Sequence, residues 1–148
     1  MHRLSYCLVL SLSLVACGGE DTSNNTNNNS VPLDWPNLDA AAKGAHMGSV
    51  VLPRMTVVLQ EFDPQAYADV TCDTCHGPNG QASGFVMPNP NLPPLPADPT
   101  PVFTSSPAVA GFMASKVVPE MAALLELTPV DPATGQGEFG CFNCHTVE

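Results

Sequence analysis

The sequence predicts a mainly α fold with extensive irregular loops, built from a duplicated helix–C-x-x-C-H module. Three observations carry this expectation. Cys72-Asp73-Thr74-Cys75-His76 and Cys141-Phe142-Asn143-Cys144-His145 are two copies of one short motif. Ahead of each lies an apolar stretch at helical spacing that bears methionines, and the two stretches match at a constant offset of 66 residues. Between the copies, residues 87–107 carry eight prolines, too many for a regular helix or an inner strand.

Taken in chain order, Met1-His2-Arg3 and the apolar run from Leu4 to Ala16 form a short positive start and a stretch too brief to span a bilayer. Residues 1–16 are thus expected to be an export signal. Leu14-Val15-Ala16-Cys17 resembles the bacterial lipoprotein cleavage box, which implies that Cys17 becomes the first residue and carries lipid. Ordinary cleavage, with Cys17 in a disulfide, would instead leave an odd thiol in an oxidising compartment. Residues 17–34, rich in Asn, Ser, Thr and Gly, have little to bury and read as a flexible tether. The expected location is the periplasmic face or the outer membrane, with residues 35–148 as the folded domain.

Module one, residues 39–86, places Val51, Met55, Val58, Leu59 and Phe62 on one apolar stripe. A helix is expected from Asp39 to Leu52, then a break or bend at Pro53, then a second helical piece to Phe62. Module two, residues 108–148, repeats the pattern with Val117, Met121, Leu124 and Leu125 in a helix from Ala108 to Leu127. The C-x-x-C-H motifs are offset by 69 residues, so copy two has three extra residues, placed in the loop 132–137. Each motif should form a compact helical turn. The connector, residues 87–107, is expected to be extended and polyproline-like.

C-x-x-C-H is the attachment signature of c-type haem: both sulfurs bond to the porphyrin vinyl groups and the adjacent imidazole ligates iron. On this reading Cys72, Cys75, Cys141 and Cys144 hold two covalent haems, and His76 and His145 are the proximal ligands. Cys7 leaves with the signal and Cys17 takes lipid, so no cysteine is left over. The haems would serve as attached core for modules too small to fold well unaided.

Only Thr146, Val147 and Glu148 follow His145, so a strong sixth ligand for the second iron must come from upstream. His46 is the one histidine not in a motif after processing, and Phe112 stands in its place in copy two, so His46 reads as a solvated or capping residue. Methionine is the ligand type that both copies supply. Met55 and Met121 are the expected axial ligands, since Met47 and Met113 lie farther from the cysteines. A methionine on such a stripe also serves as core filler. A thioether opposite imidazole raises the reduction potential relative to two imidazoles.

This order of parts resembles the photosynthetic reaction centre cytochrome c subunit family, whose repeated units place a methionine-bearing helix ahead of C-x-x-C-H. The resemblance implies axial ligation by Met55 for the haem on Cys72, Cys75 and His76, and by Met121 for the haem on Cys141, Cys144 and His145. It covers the two helix-to-motif modules and not the tether or the proline-rich segment, and this chain has two units where that family usually has four. The wider match is to small secreted dihaem cytochromes.

Competing uses of the motif are a zinc site of four thiolates or a thioredoxin-like dithiol. Zinc gives no reason for the histidines or the duplicated methionines, and the dithiol reading lacks an alternating strand and helix pattern. Within the haem reading, a dihaem enzyme such as a peroxidase, or a sensor with one open iron site, competes with an electron carrier. No His, Arg or Tyr cluster accompanies either motif, which favours the carrier over the enzyme. The formal charge of −10 becomes −11 when Arg3 leaves, with Lys43, Arg54 and Lys116 the remaining fixed cations. Nucleic acid is therefore an unlikely partner; a redox protein with a basic docking face is the natural complement.

Overall fold

The computed structural model describes residues 32–148. The signal, Cys17 and the tether as far as residue 31 lie outside the described residues. A 3-10 turn (Trp35–Asn37) leads into α1 (Ala40–His46), a π turn (Met47–Val51) and α2 (Leu52–Phe62). Then come α3 (Cys72–His76), α4 (Val102–Ser105), α5 (Pro107–Phe112), a second π turn (Met113–Val117), α6 (Val118–Leu124) and a 3-10 turn (Cys141–Asn143). The fold is mainly helical, and among the described residues there are no strands, only the isolated bridges Leu95↔Val147 and Pro129↔Phe139. No helix among the described residues is long and apolar enough to cross a membrane.

The first helix starts where Asp39 accepts a hydrogen bond from the Ala42 N–H at 2.8 Å, a side-chain cap. It does not break at Pro53. Proline lacks an N–H, and its ring crowds the carbonyl four residues back. The chain widens by one π turn instead, in which the Leu52 N–H reaches the Met47 carbonyl, and right-handed backbone runs through each junction. Pro119 meets the same solution in the second copy, where the Val118 N–H donates to the Met113 carbonyl. Ser49 and Ser115 donate back to Ala45 and Gly111 at 2.7 and 2.6 Å, so both helical rods treat their proline alike.

The second rod ends earlier than the apolar pattern suggests, at Leu124. Glu126 takes a left-handed φ of 52°, and the Leu127 and Glu126 N–H groups turn back to Ala122 and Ala123. This Schellman closure satisfies the last carbonyls and returns Leu127 to the core. The proline-rich segment also differs from expectation, because it contains one helical turn, α4. Pro101 precedes that turn and no proline falls inside it, so nothing forbids it. The loop expected to hold the three extra residues is closed by hydrogen bonds from Asp131 N to Gln136 O and Gly135 N to Asp131 O. Gly137, at φ 140°, lets it close, since a Cβ there would lie 2.5 Å from the Val130 Cα.

The modules do not build separate cores. Val51, Met55, Val58 and Leu59 of the first rod and Phe112 and Ala122 of the second join Leu125 and Phe139 in one buried cluster. Each large apolar side chain so buried contributes about 1.5–3 kcal/mol. The rods run antiparallel: Phe62 at the end of the first stacks on Phe112 at 4.1 Å, while His46 donates through Nε2 to the Leu124 carbonyl at 2.8 Å. His46 is thus a cap on the other rod. Ala122 is fully buried, and its small side chain allows the close approach.

Arg54 and Glu120, which are equivalent positions 66 residues apart, meet each other in a two-pronged ion pair at 2.5 and 3.1 Å. The hydrogen bond from Arg54 holds the Glu120 carboxyl below its ordinary value, against a small opposing push from burial, with the charges of Arg54 and Lys116 adding to the effect. A carboxylate depressed in the folded state stabilises above its unfolded value, and that contribution fades as pH falls through the folded one. Glu120→Gln should therefore lower the urea midpoint at neutral pH and match the wild type in acid. The pair is largely exposed, so the neutral-pH difference will be small.

Candidate haem-attachment site

Both motifs are compact turns, as the spacing demands. In motif one, Thr71 caps α3 and its own N–H is held by the Thr74 hydroxyl at 3.0 Å. Residues three and four apart share a helix face, so Cys72, Cys75 and His76 are presented on one side of one turn. Motif two is a tighter 3-10 turn in which Asn143 plays the part of Thr74, accepting from the Gly140 N–H at 2.7 Å. The His145 N–H closes back on the Cys141 carbonyl at 2.9 Å.

The surroundings of the imidazoles differ. His145 donates through Nδ1 to the Pro93 carbonyl at 2.9 Å, which leaves Nε2 with its lone pair free. His76 packs edge-on against Phe85 at 5.2 Å and against Gly80, where a Cβ would come within 2.8 Å of the His76 Cβ. Its Nδ1 is buried and has no partner among the described residues. Burial holds the His76 ring below its ordinary value, with Asp73 opposing, so the neutral, ligating form is favoured.

The second thiol of each motif is not an activated nucleophile. Burial, and then the neighbouring Cys72, pushes the Cys75 thiol up. Cys144 is pushed up to about 11 by burial first, then by Cys75 and Cys141. A dithiol enzyme needs the opposite shift. Cys72, Cys75, Cys141 and Cys144 are all free. Among the described residues no three His, Cys, Asp or Glu side chains gather as a metal-ion site, and haem iron asks for only one imidazole per motif. Each turn sets paired thiols beside an imidazole, the neutral form being favoured at His76 by burial and one ring nitrogen being held by the Pro93 carbonyl at His145.

No family model, curated protein or solved structure matches this chain.

Two parts of the site were absent from the sequence reading. Asn89, in the proline-rich segment, is 1% exposed and joins the motifs: its backbone N–H donates to the Cys144 carbonyl at 2.9 Å and its Nδ2 to the Cys75 carbonyl at 2.8 Å. Its Oδ1 accepts from both Asn91 nitrogens. The other part is the Pro93 carbonyl. The connector follows the C-terminal tail, with the Leu95 N–H on Thr146 and the Glu148 N–H on Leu95, and this pairing sets the carbonyl beside His145. An asparagine between two prolines was the one available hint, since a polar side chain in such a segment needs partners.

The methionines lie at the helix pair. Met55 is a core residue, 4% exposed, while Met121, Met47 and Met113 are half-buried and pack against the same cluster. Cys144 reaches the edge of that cluster too, which brings motif two to the core that Met121 borders.

Proposed function

We propose that this chain is a membrane-tethered, extracytoplasmic dihaem cytochrome c that carries electrons between redox partners. The observation that carries the reading is the pair of compact turns, each offering two thiols and an imidazole, with the His145 ring oriented by the Pro93 carbonyl. Cys72, Cys75, Cys141 and Cys144 would hold the two haems, His76 and His145 would be the proximal ligands, and Met55 and Met121 the axial thioethers. Bound haem supplies a one-electron iron couple. The protein's own part would be to present an imidazole from each turn and a methionine sulfur from each rod to the iron, and to shield the rings with the apolar helix pair. Lipid on Cys17 would tether it to the membrane, and its acidic surface suits partners with basic docking faces.

Intact mass and absorption spectra of the protein matured in a cytochrome-competent host test this directly. Two haems in thioether linkage, with sulfur ligation in the ferric form, are expected. Colourless protein with free thiols would end the reading, and rapid carbon monoxide binding by the reduced protein would replace the carrier with an open-site enzyme or sensor.

The unequal imidazoles have a redox consequence. A hydrogen bond from Nδ1 to a carbonyl makes the imidazole a stronger donor and favours ferric iron. The site on His145 should therefore titrate at the lower potential of the two. A redox titration of the wild type and of the Cys72→Ala/Cys75→Ala and Cys141→Ala/Cys144→Ala variants assigns each wave; the reverse order would count against this use of Pro93.

A further inference from the structure

We infer that Asn89 is a positioning residue that locks the two attachment turns into one unit, so that the haems held by Cys72 and Cys75 and by Cys141 and Cys144 would be anchored close enough to couple electronically. This rests on the haem reading above and goes beyond it, because nothing in a repeat of two motifs requires them to be neighbours. The geometry does. One asparagine spans the Cys75 and Cys144 carbonyls, which places them within about 11 Å of each other, two hydrogen bonds and one residue apart. That is about the width of a porphyrin. Rings anchored so close would have their attached edges near one another, within range of electronic coupling.

The clamp is built to be rigid. Asn89 is almost wholly buried, and every polar atom that it brings to the site is used. Its oxygen is held by Asn91, so the amide cannot rotate away from Cys75 without breaking two further bonds. The two carbonyls belong to the second cysteine of each motif, next to each proximal histidine. A shift of Asn89 would thus be felt at both irons.

The test is circular dichroism in the Soret region on the matured, full-length protein, alongside its haem count by mass. The wild type should carry two haems and show a two-signed couplet, the sign of two chromophores in contact. Asn89→Ala should keep both haems and lose more than half of the couplet amplitude. Should Asn89→Ala not accumulate, Asn89→Asp carries the test, since it keeps the shape and the acceptor oxygen but removes the donor to Cys75; the same loss is expected. A single-signed band from a wild type with two haems overturns this inference and leaves the cytochrome reading standing. An unchanged couplet in the variants overturns the role of Asn89. A count other than two strikes the parent reading, and this inference with it.

Discussion

Met55→Ala is expected to lower folding stability by about 2–5 kcal/mol, the range for truncating a buried methionine, because its neighbours can collapse only in part. Met55 is 4% exposed among Val51, Val58, Leu59 and Phe112, so the lost volume becomes a cavity at the centre of the helix pair. Met55→Leu separates packing from ligation. Leucine nearly conserves the volume and should cost less than about 1.5 kcal/mol, yet it has no sulfur to offer iron. Urea melts of both variants should therefore diverge, while ferric spectra of both matured proteins should lose thioether ligation at one site. If Met55→Leu keeps both thioether signals, Met55 is core filler and Met47 becomes the ligand to test. Met121→Leu should act in the same way on the second site, and Met121→Ala should cost less stability than Met55→Ala because Met121 is only half-buried.

Gly77→Ala should be the most damaging single-methyl change beside motif one. Gly77 sits at φ 79° and ψ 168°, a region that side chains other than hydrogen occupy at a cost of about 1–3 kcal/mol. A Cβ would also lie 2.6 Å from Nδ2 of Asn91, the residue that holds the Asn89 oxygen. Strain and displacement then act together on the same network. Gly84→Ala is the control, since Gly84 has φ 72° but open space where its Cβ would go. Denaturation midpoints should fall for both, and further for Gly77→Ala, which alone should disturb haem attachment at motif one. Equal losses would mean that the contact with Asn91 carries no weight.

What was legible in the chain was whatever is encoded within a few turns. The Met55 stripe, the helical turn at Cys72–His76 and the capping place of His46 follow from periodicity, spacing and comparison of the two copies. The π turns were harder to foresee, because a proline inside a helix can kink, break or widen it, and the choice depends on what the rod packs against. Asn89 and Pro93 were out of reach for a different reason. They act on residues 14 and 52 positions away through contacts that exist only once the connector lies along the tail. The shared core was hidden likewise: two apolar stripes in sequence do not say whether they face each other or separate partners.

The meeting of Arg54 with Glu120 has a consequence for how the chain avoids its own likeness. Two antiparallel rods that repeat one apolar pattern offer self-matching faces, and such faces invite the first half of one molecule to stick to the first half of another. Opposite charges at the crossing point discourage that error. First half on first half would set guanidinium against guanidinium, and second on second carboxylate against carboxylate, whereas each rod finds its counter-charge on its sibling within the same polypeptide.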